Sequence, residues 1–270
     1  MYLIVGATGT LGGRIVENLL AAGEDVRILV RHNSPSVELA AAGMATAAQT
    51  LVSAGAQPVY GDLTDRTSLA AACNGVDTVI TTATATKREP PDTIETIDLQ
   101  GTLNLIDAAR AQGVPRFVYT SGFGSALNHP APLFHIKAVC EARLEESGMD
   151  YVLLLPDLFM ESWIGMVIGI PLQAGQPVTL VGEGDHRHSF VSEADVAAIA
   201  VAAALDATTS RERIAIGGPK AYTWTEVVAA VGDAMGNPLP LQYVEPGDEI
   251  PLLPPLAGAL LVGSESYESL

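Results

Sequence analysis

The residues best suited to chemistry stand at the start of the chain. Gly6-Ala7-Thr8-Gly9-Thr10-Leu11-Gly12-Gly13 follows directly on the apolar run Tyr2–Val5 and opens a helical pattern. A glycine in the first place lets the chain turn sharply out of a strand. The second leaves bare backbone where a pyrophosphate can lie, and the third lets the helix pack closely on the sheet. That helix aims unpaired N–H groups and the positive end of its dipole at the phosphates. Gly6, Thr8, Gly9, Thr10, Leu11 and Gly12 are therefore the candidate cradle for a dinucleotide; a glycine-rich turn without a ligand is the alternative.

Three further positions extend this site. The second apolar run ends Leu29-Val30-Arg31. A carboxylate there would hold the ribose 2′-hydroxyl of NAD, whereas arginine suits a 2′-phosphate, so NADP(H) is the expected cofactor. Asp62-Leu63 follows the third run, where an adenine would rest; Asp62 either accepts the adenine amino group or caps a turn. Thr82 and Ala83 follow the fourth run, and residues this small let backbone approach the cofactor.

Other reactive side chains point to less. His186-Arg187-His188 offers two imidazoles with no third ligand near in sequence, which reads as a solvated loop, and no metal is expected. Cys73 and Cys140 lie far apart, each in a helical pattern, and read as small buried thiols of a reducing compartment.

These positions need a frame, and the chain alternates short aliphatic runs with longer amphipathic ones, as βα units do. Strands are expected at Tyr2–Val5, Val26–Val30, Pro58–Tyr60, Thr78–Thr81, Phe117–Thr120 and Tyr151–Leu155. Helices are expected at Leu11–Ala22, Val37–Ala54 (with Gly43 as a possible break), Thr67–Cys73, Ile94–Gln112 and Leu133–Ser147. Gly23, Gly75, Gly113 and Gly148 close four of them. The pattern predicts an α/β fold: a Rossmann-type doubly wound parallel sheet of six strands with a smaller C-terminal α/β lobe. The division is placed at residues 1–155 for the cofactor and 156–270 for the substrate side, partly interleaved with the sheet. The lobe is expected to hold a strand at Val178–Val181, a helix Glu193–Leu205 capped by Ser192, a strand at Ile214–Ile216, a helix Thr225–Met235 and a strand at Leu241–Val244. Apolar residues from Leu252 to Val262 are expected to cover that lobe or a neighbouring subunit.

Composition removes whole classes of partner. With 14 basic and 31 acidic residues the net charge is −17, which opposes nucleic acid and anionic membranes. Tyr151–Leu172 is the most apolar stretch, but Pro156, Asp157, Glu161 and Pro171 interrupt it, so no membrane span is expected. Residue 1 leads straight into a strand, which predicts a cytoplasmic protein without a signal peptide. A small-molecule substrate is the expected partner; oligomeric state is open.

The chain resembles the atypical short-chain dehydrogenase/reductase group, in its NmrA-like and isoflavone-reductase-like branch. The resemblance rests on GATGTLGG, LVRHNSP, VYGDLTD, IDLQGTLNLIDAA, RFVYTSGFG, HIKAVCEARLEESGMDYVLLLPDLFMESW and FVSEADVAAIAVAAAL with its following GGP, in this order. It implies NADP(H) binding and a substrate pocket between the sheet and the smaller lobe. Lys137 matches the lysine that this branch keeps, and the resemblance places it near the nicotinamide ribose or a developing oxyanion; an ordinary solvated helix lysine is the alternative. Ser121 matches the superfamily serine and would hydrogen-bond a substrate carbonyl, or cap a turn. The tyrosine that many superfamily members keep four positions before the lysine is Leu133 here. Leu155 stands before Pro156 where the family often has arginine, which puts a charged substrate contact there in doubt. Phe123, Phe159, Met160 and Trp163 are candidates for an apolar substrate pocket, or for core. The implied function is an NADPH-dependent oxidoreductase passing hydride to a small apolar electrophile of quinone or enone type. The alternative is a non-catalytic NADP(H)-binding redox-sensing regulator.

Overall fold

Successive side chains of a strand point to opposite faces, and in β1 (Tyr2–Val5) Leu3 and Val5 enter one apolar layer while Ile4 enters the other. The computed structural model describes residues 1–31, 46–86, 88 and 90–265. After β1 come α1 (Thr10–Ala21), β2 (Val26–Val30), α2 (Ala47–Ser53), β3 (Gln57–Tyr60), α3 (Arg66–Cys73) and β4 (Thr78–Thr81). A π-helical segment, Ile94–Gly101, runs into α4 (Thr102–Ala111), followed by β5 (Arg116–Thr120), α5 (Pro132–Glu145) and β6 (Asp150–Pro156). The remaining elements are α6 (Met160–Ile164), α7 (Ile170–Gln173), β7 (Val178–Val181), β8 (Arg187–His188), α8 (Glu193–Leu205), β9 (Glu212–Ile216), β10 (Tyr222–Thr223), α9 (Trp224–Met235), β11 (Leu241–Val244) and α10 (Pro255–Ser264).

The central sheet runs β3-β2-β1-β4-β5-β6-β9 with every pairing parallel. It has seven strands where the aliphatic runs predict six. Glu212–Ile216 pairs with β6 instead of staying in the small lobe, because the buried face of α8 packs beside α1 and returns the chain to the sheet edge. One face of the sheet is covered by α3, α4 and α5 through Leu69, Leu105, Ile106, Ile136 and Leu144. The other is covered by α1, α2 and α8 through Ile15, Leu19, Leu51, Val196 and Ala200. A third cluster, with Trp224, Leu180, Phe190 and Leu261, forms the small lobe around the β7–β11 and β8–β10 pairs.

Gly23, Gly75, Gly113 and Gly148 all take positive φ just past their helices, as expected. Ser192 caps α8 by accepting the Asp195 N–H at 3.0 Å. The helix expected over Val37–Ala54 lies largely outside the described residues, Gly43 included. Its described end is α2, capped reciprocally by Thr46 and Gln49.

His186-Arg187-His188 is not a solvated loop. His188 has no exposed surface; its ring packs near Phe190 and Trp224, and its Nε2 lies 3.0 Å from Glu265 Oε1. Burial follows from the β8–β10 pairing, which turns this side chain into the third cluster. Among the described residues no group of His, Cys, Asp and Glu could hold a metal ion. Nor is any helix among them long and apolar enough to cross a membrane.

Candidate functional site

β1 and β4 are neighbours whose following helices lie on opposite faces, so a crevice opens beyond their carboxyl ends. The glycine loop fills its floor. Gly6 has φ +93°, and a Cβ there would meet Thr82 Oγ1 at 2.7 Å and the Ala83 nitrogen at 2.9 Å. A Cβ on Gly12 would meet the Gly6 carbonyl oxygen at 2.2 Å. A Cβ on Gly9 meets only that oxygen, at 3.4 Å. Gly9 also serves as the N-cap of α1 without a side-chain cap, and no acid stands in the first turn. The helix therefore presents uncapped N–H groups and a positive dipole end to open space, which is what a pyrophosphate requires.

A cavity of about 450 Å³ continues from this floor, within the range of small-molecule clefts. Gly6, Thr8, Gly9, Thr10, Leu11, Gly12, Arg31, Leu63, Thr82 and Ala83 line its cofactor end. Ser121, Phe123, Lys137, Phe159 and Trp163 line the other. Two expected residues do not line it. Asp62 turns its Oδ1 back onto the Thr64 N–H and hydroxyl, at 2.8 and 2.7 Å, closing a turn after β3. Burial raises its pKa, but those two bonds and the charges of Arg31 and Arg88 outweigh burial and hold the carboxyl below its ordinary value. Met160 packs against the small-lobe cluster with Ile164 of the same helix, α6, while Trp163 faces the cleft.

Lys137 projects from α5 under the end of β5. Its Nζ donates to the Thr120 carbonyl oxygen at 3.2 Å and lies 5.4 Å from the centre of the Tyr119 ring. Burial lowers the pKa of the ammonium, while Asp98 on the π-helical segment pulls it back up. Asp98 is itself buried; its Oδ2 accepts the Ala85 N–H at 2.8 Å, and burial raises its pKa against the attraction of Lys137. The result is a partly dehydrated ammonium that releases a proton more readily than a free lysine. Ser121 is differently placed from the expectation. Its hydroxyl donates to the buried carboxylate of Glu141, which also takes Ser125 at 2.6 Å and Arg213 at 2.7 Å. Its hydrogen is already committed, so toward the cleft Ser121 offers an oxygen lone pair rather than a donor.

The NmrA-like family model matches residues 2–256. The chain belongs to the NmrA-like family. An NAD(P)H azoreductase of Xenophilus azovorans is 31% identical over 239 residues, 88% of this chain and 75% of that protein. The photosystem II assembly factor Ycf39 of Synechocystis is 32% identical over 235 residues, 87% of this chain and 68% of that one. The chain spans about half, 53%, of the length of a chloroplast relative from Arabidopsis thaliana. An NADPH-dependent quinone oxidoreductase of Escherichia coli, solved with NADPH, shares the fold with a TM-score of 0.79 at 24% identity, covering 98% of this chain and 88% of that one.

Within this NmrA-like chain, sequence reasoning passed over several cleft residues. Arg88 follows β4 and lines the cofactor end; the signal available was a basic residue in a chain with few. Phe134 and Met166 add to the apolar wall, and Ala257 and Leu260 of α10 close it. Nothing local marks those last two, since only the tertiary path brings α10 over the sheet. Leu133, standing where a tyrosine would be, also faces the cleft, so the apolar wall replaces a phenol there.

Proposed function

We propose that this chain is an NADPH-dependent oxidoreductase acting on a small apolar electrophile of quinone or enone type. One observation carries the reading: a single cleft joins the phosphate cradle and Arg31 to an apolar chamber that holds the Lys137 ammonium. In this reading residues 1–155 bind the dinucleotide and also bring Phe123, Leu133, Phe134 and Lys137 to the substrate end, while the lobe that begins at residue 156 closes it with Phe159, Trp163, Met166, Ala257 and Leu260. Bound NADPH supplies a hydride. Lys137 Nζ, held by the Thr120 carbonyl, stands ready to stabilise negative charge on the acceptor oxygen or to give it a proton. Phe123, Phe159 and Trp163 favour a flat acceptor and exclude water. The azoreductase relative, named for NAD(P)H-dependent reduction, supports reductive chemistry in this cleft.

A second reading, NADP(H) binding without turnover, is favoured by the committed hydrogen of Ser121 and by Leu133 in place of a phenol. The assembly-factor relative is consistent with it. Nicotinamide absorbance, followed with purified protein across quinones and enones with NADH as control, separates the two. Acceptor-dependent oxidation of NADPH supports the reductase; saturable NADPH binding with no oxidation by any acceptor rejects it in favour of the second reading.

A further inference from the structure

Arg31 does not stand alone at the cofactor end of the cleft. Arg88, from the loop after β4, lines the same wall. Each guanidinium donates through Nη1 to the same carboxylate oxygen, Asp92 Oδ2, and each bond is 2.9 Å. The two Nη1 atoms can therefore be no farther apart than twice that distance. Arg31 keeps 34% of its side chain exposed and Arg88 19%, so both are partly withdrawn from water yet open to the cleft.

Two of the 14 basic residues of a chain whose net charge is −17 meet at this corner, both bonded to Asp92 and both within electrostatic reach of Asp62. A guanidinium carries five N–H donors, and Asp92 takes one from each arginine. No other hydrogen-bond partner for either group is found among the described residues. Arg27 and Arg66 spend their donors on carbonyl or side-chain oxygens of the scaffold. Among the described residues, four further N–H groups on each of Arg31 and Arg88 thus remain for a ligand. A phosphate monoester, with three terminal oxygens and nearly two negative charges, can take paired bonds from both forks at once. A neutral ribose hydroxyl offers two lone pairs and no charge to the same donors.

We propose that Arg88 is a second specificity-determining arm of the 2′-phosphate pocket, and that Asp92 is the internal anion that keeps both arginines aimed at the cleft before the phosphate arrives. This rests on the NADP(H) reading of the cleft and adds to it a residue in a different loop from Arg31. The loops after β2 and β4 are thereby joined through Asp92, so the phosphate binds between two strand ends rather than on one side chain. Asp92 also sets a limit. Its negative charge competes with the phosphate, so the corner is tuned for orientation at some loss of affinity.

The test is calorimetric titration of the full chain with NADP+, NAD+, adenosine 2′,5′-bisphosphate and 5′-AMP at fixed ionic strength. Arg88→Gln should weaken NADP+ and the bisphosphate about ten- to thirtyfold, in line with a lost charged hydrogen bond. NAD+ and 5′-AMP should change less than about threefold, which also reports an intact fold. Arg88→Lys should recover part of the loss, since it restores the charge and not the fork. Asp92→Asn keeps an oxygen acceptor for both arginines and drops the competing charge, so NADP+ should tighten about threefold with NAD+ unchanged. Asp92→Ala, which loses the acceptor, should weaken NADP+. An Asp92→Ala chain that binds NADP+ as tightly as Asp92→Asn would overturn the positioning role of Asp92. Equal losses for NADP+ and NAD+ in Arg88→Gln would assign Arg88 to the shape of its loop and overturn the proposal. So would a full NADP+ preference that survives Arg88→Gln, while leaving the NADP(H) reading standing. A wild-type chain that binds NADP+ no better than NAD+ would overturn both.

Discussion

The Lys137 ammonium is held by the Thr120 carbonyl oxygen at 3.2 Å and stands over the Tyr119 ring. The helix α5 and the strand β5 thus fix one cation at the boundary between cofactor end and apolar chamber. Lys137→Met keeps the length of the side chain and removes the charge. It should lower kcat for quinone reduction by about 10²- to 10⁴-fold, the usual worth of a placed proton donor, while NADPH binding changes only a few-fold. Steady-state kinetics beside a direct titration would show it. A kcat within threefold of wild type would leave Lys137 with a binding role alone.

Asp98 provides the pH dependence. Burial raises its pKa in the folded chain above the unfolded value of 3.8. The folded state therefore holds this proton more tightly than the unfolded one, and stability from this group is lost as pH rises through the folded pKa. Asp98→Asn removes that loss, so the variant should be at least as stable as wild type near neutral pH, with its advantage shrinking toward about pH 4. Removing the charge also removes what holds Lys137 up against burial. The basic limb of the pH–rate profile should accordingly move to lower pH. Urea unfolding at both ends of the range, with the pH–rate profile, tests both. A less stable variant at neutral pH would show that attraction to Lys137 outweighs burial.

The sequence reveals whatever is local. Gly6, Gly9, Gly12 and Arg31 are recognisable because strand, turn and helix follow one another within a few residues, and the structure places all four on one cleft wall. Six strands were legible from aliphatic runs for the same reason. The seventh, Glu212–Ile216, reads as part of the small lobe because it is half polar and sits at an edge, and only the packing of α8 against the sheet tells which neighbour it takes. Asp98 and Arg88 escaped notice because their meaning is tertiary: one is buried behind Lys137, the other meets Arg31 across a stretch of the chain through Asp92. His188 misled for a related reason, since a short polar sequence looks solvated until β8 turns it inward.

Glu141 should prove structural for the substrate end. It gathers Ser121, Ser125 and Arg213 on one buried carboxylate. Glu141→Ala leaves two hydroxyl groups without their acceptor, at about 1–3 kcal/mol for such losses. Arg213 is 43% exposed, so solvent screens its share and little is added for the broken ion pair. Thermal unfolding should therefore show a clear loss, while kcat in the surviving folded fraction stays closer to wild type than in Lys137→Met. An activity loss as deep as that of Lys137→Met, with stability unchanged, would instead place Ser121 in the chemistry.

Gly9 and Gly12 look alike in sequence, yet the structure separates them. A Cβ on Gly12 would sit 2.2 Å from the Gly6 oxygen and 2.7 Å from its carbonyl carbon, and neither backbone atom can yield without opening the loop. Gly12→Ala should therefore damage the fold itself, by about 3 kcal/mol as for other forced overpacking, and lose dinucleotide binding as a consequence. A Cβ on Gly9 meets only the Gly6 oxygen, at 3.4 Å, and Gly9 lines the cleft where the proposed pyrophosphate would lie. Gly9→Ala should accordingly keep the wild-type unfolding midpoint within a degree or two, yet weaken NADP+ and NAD+ alike by tenfold or more, since both carry the pyrophosphate. Unfolding curves and titrations of the two variants side by side decide it. If Gly9→Ala bound both dinucleotides as wild type does, the pyrophosphate would not lie against this loop.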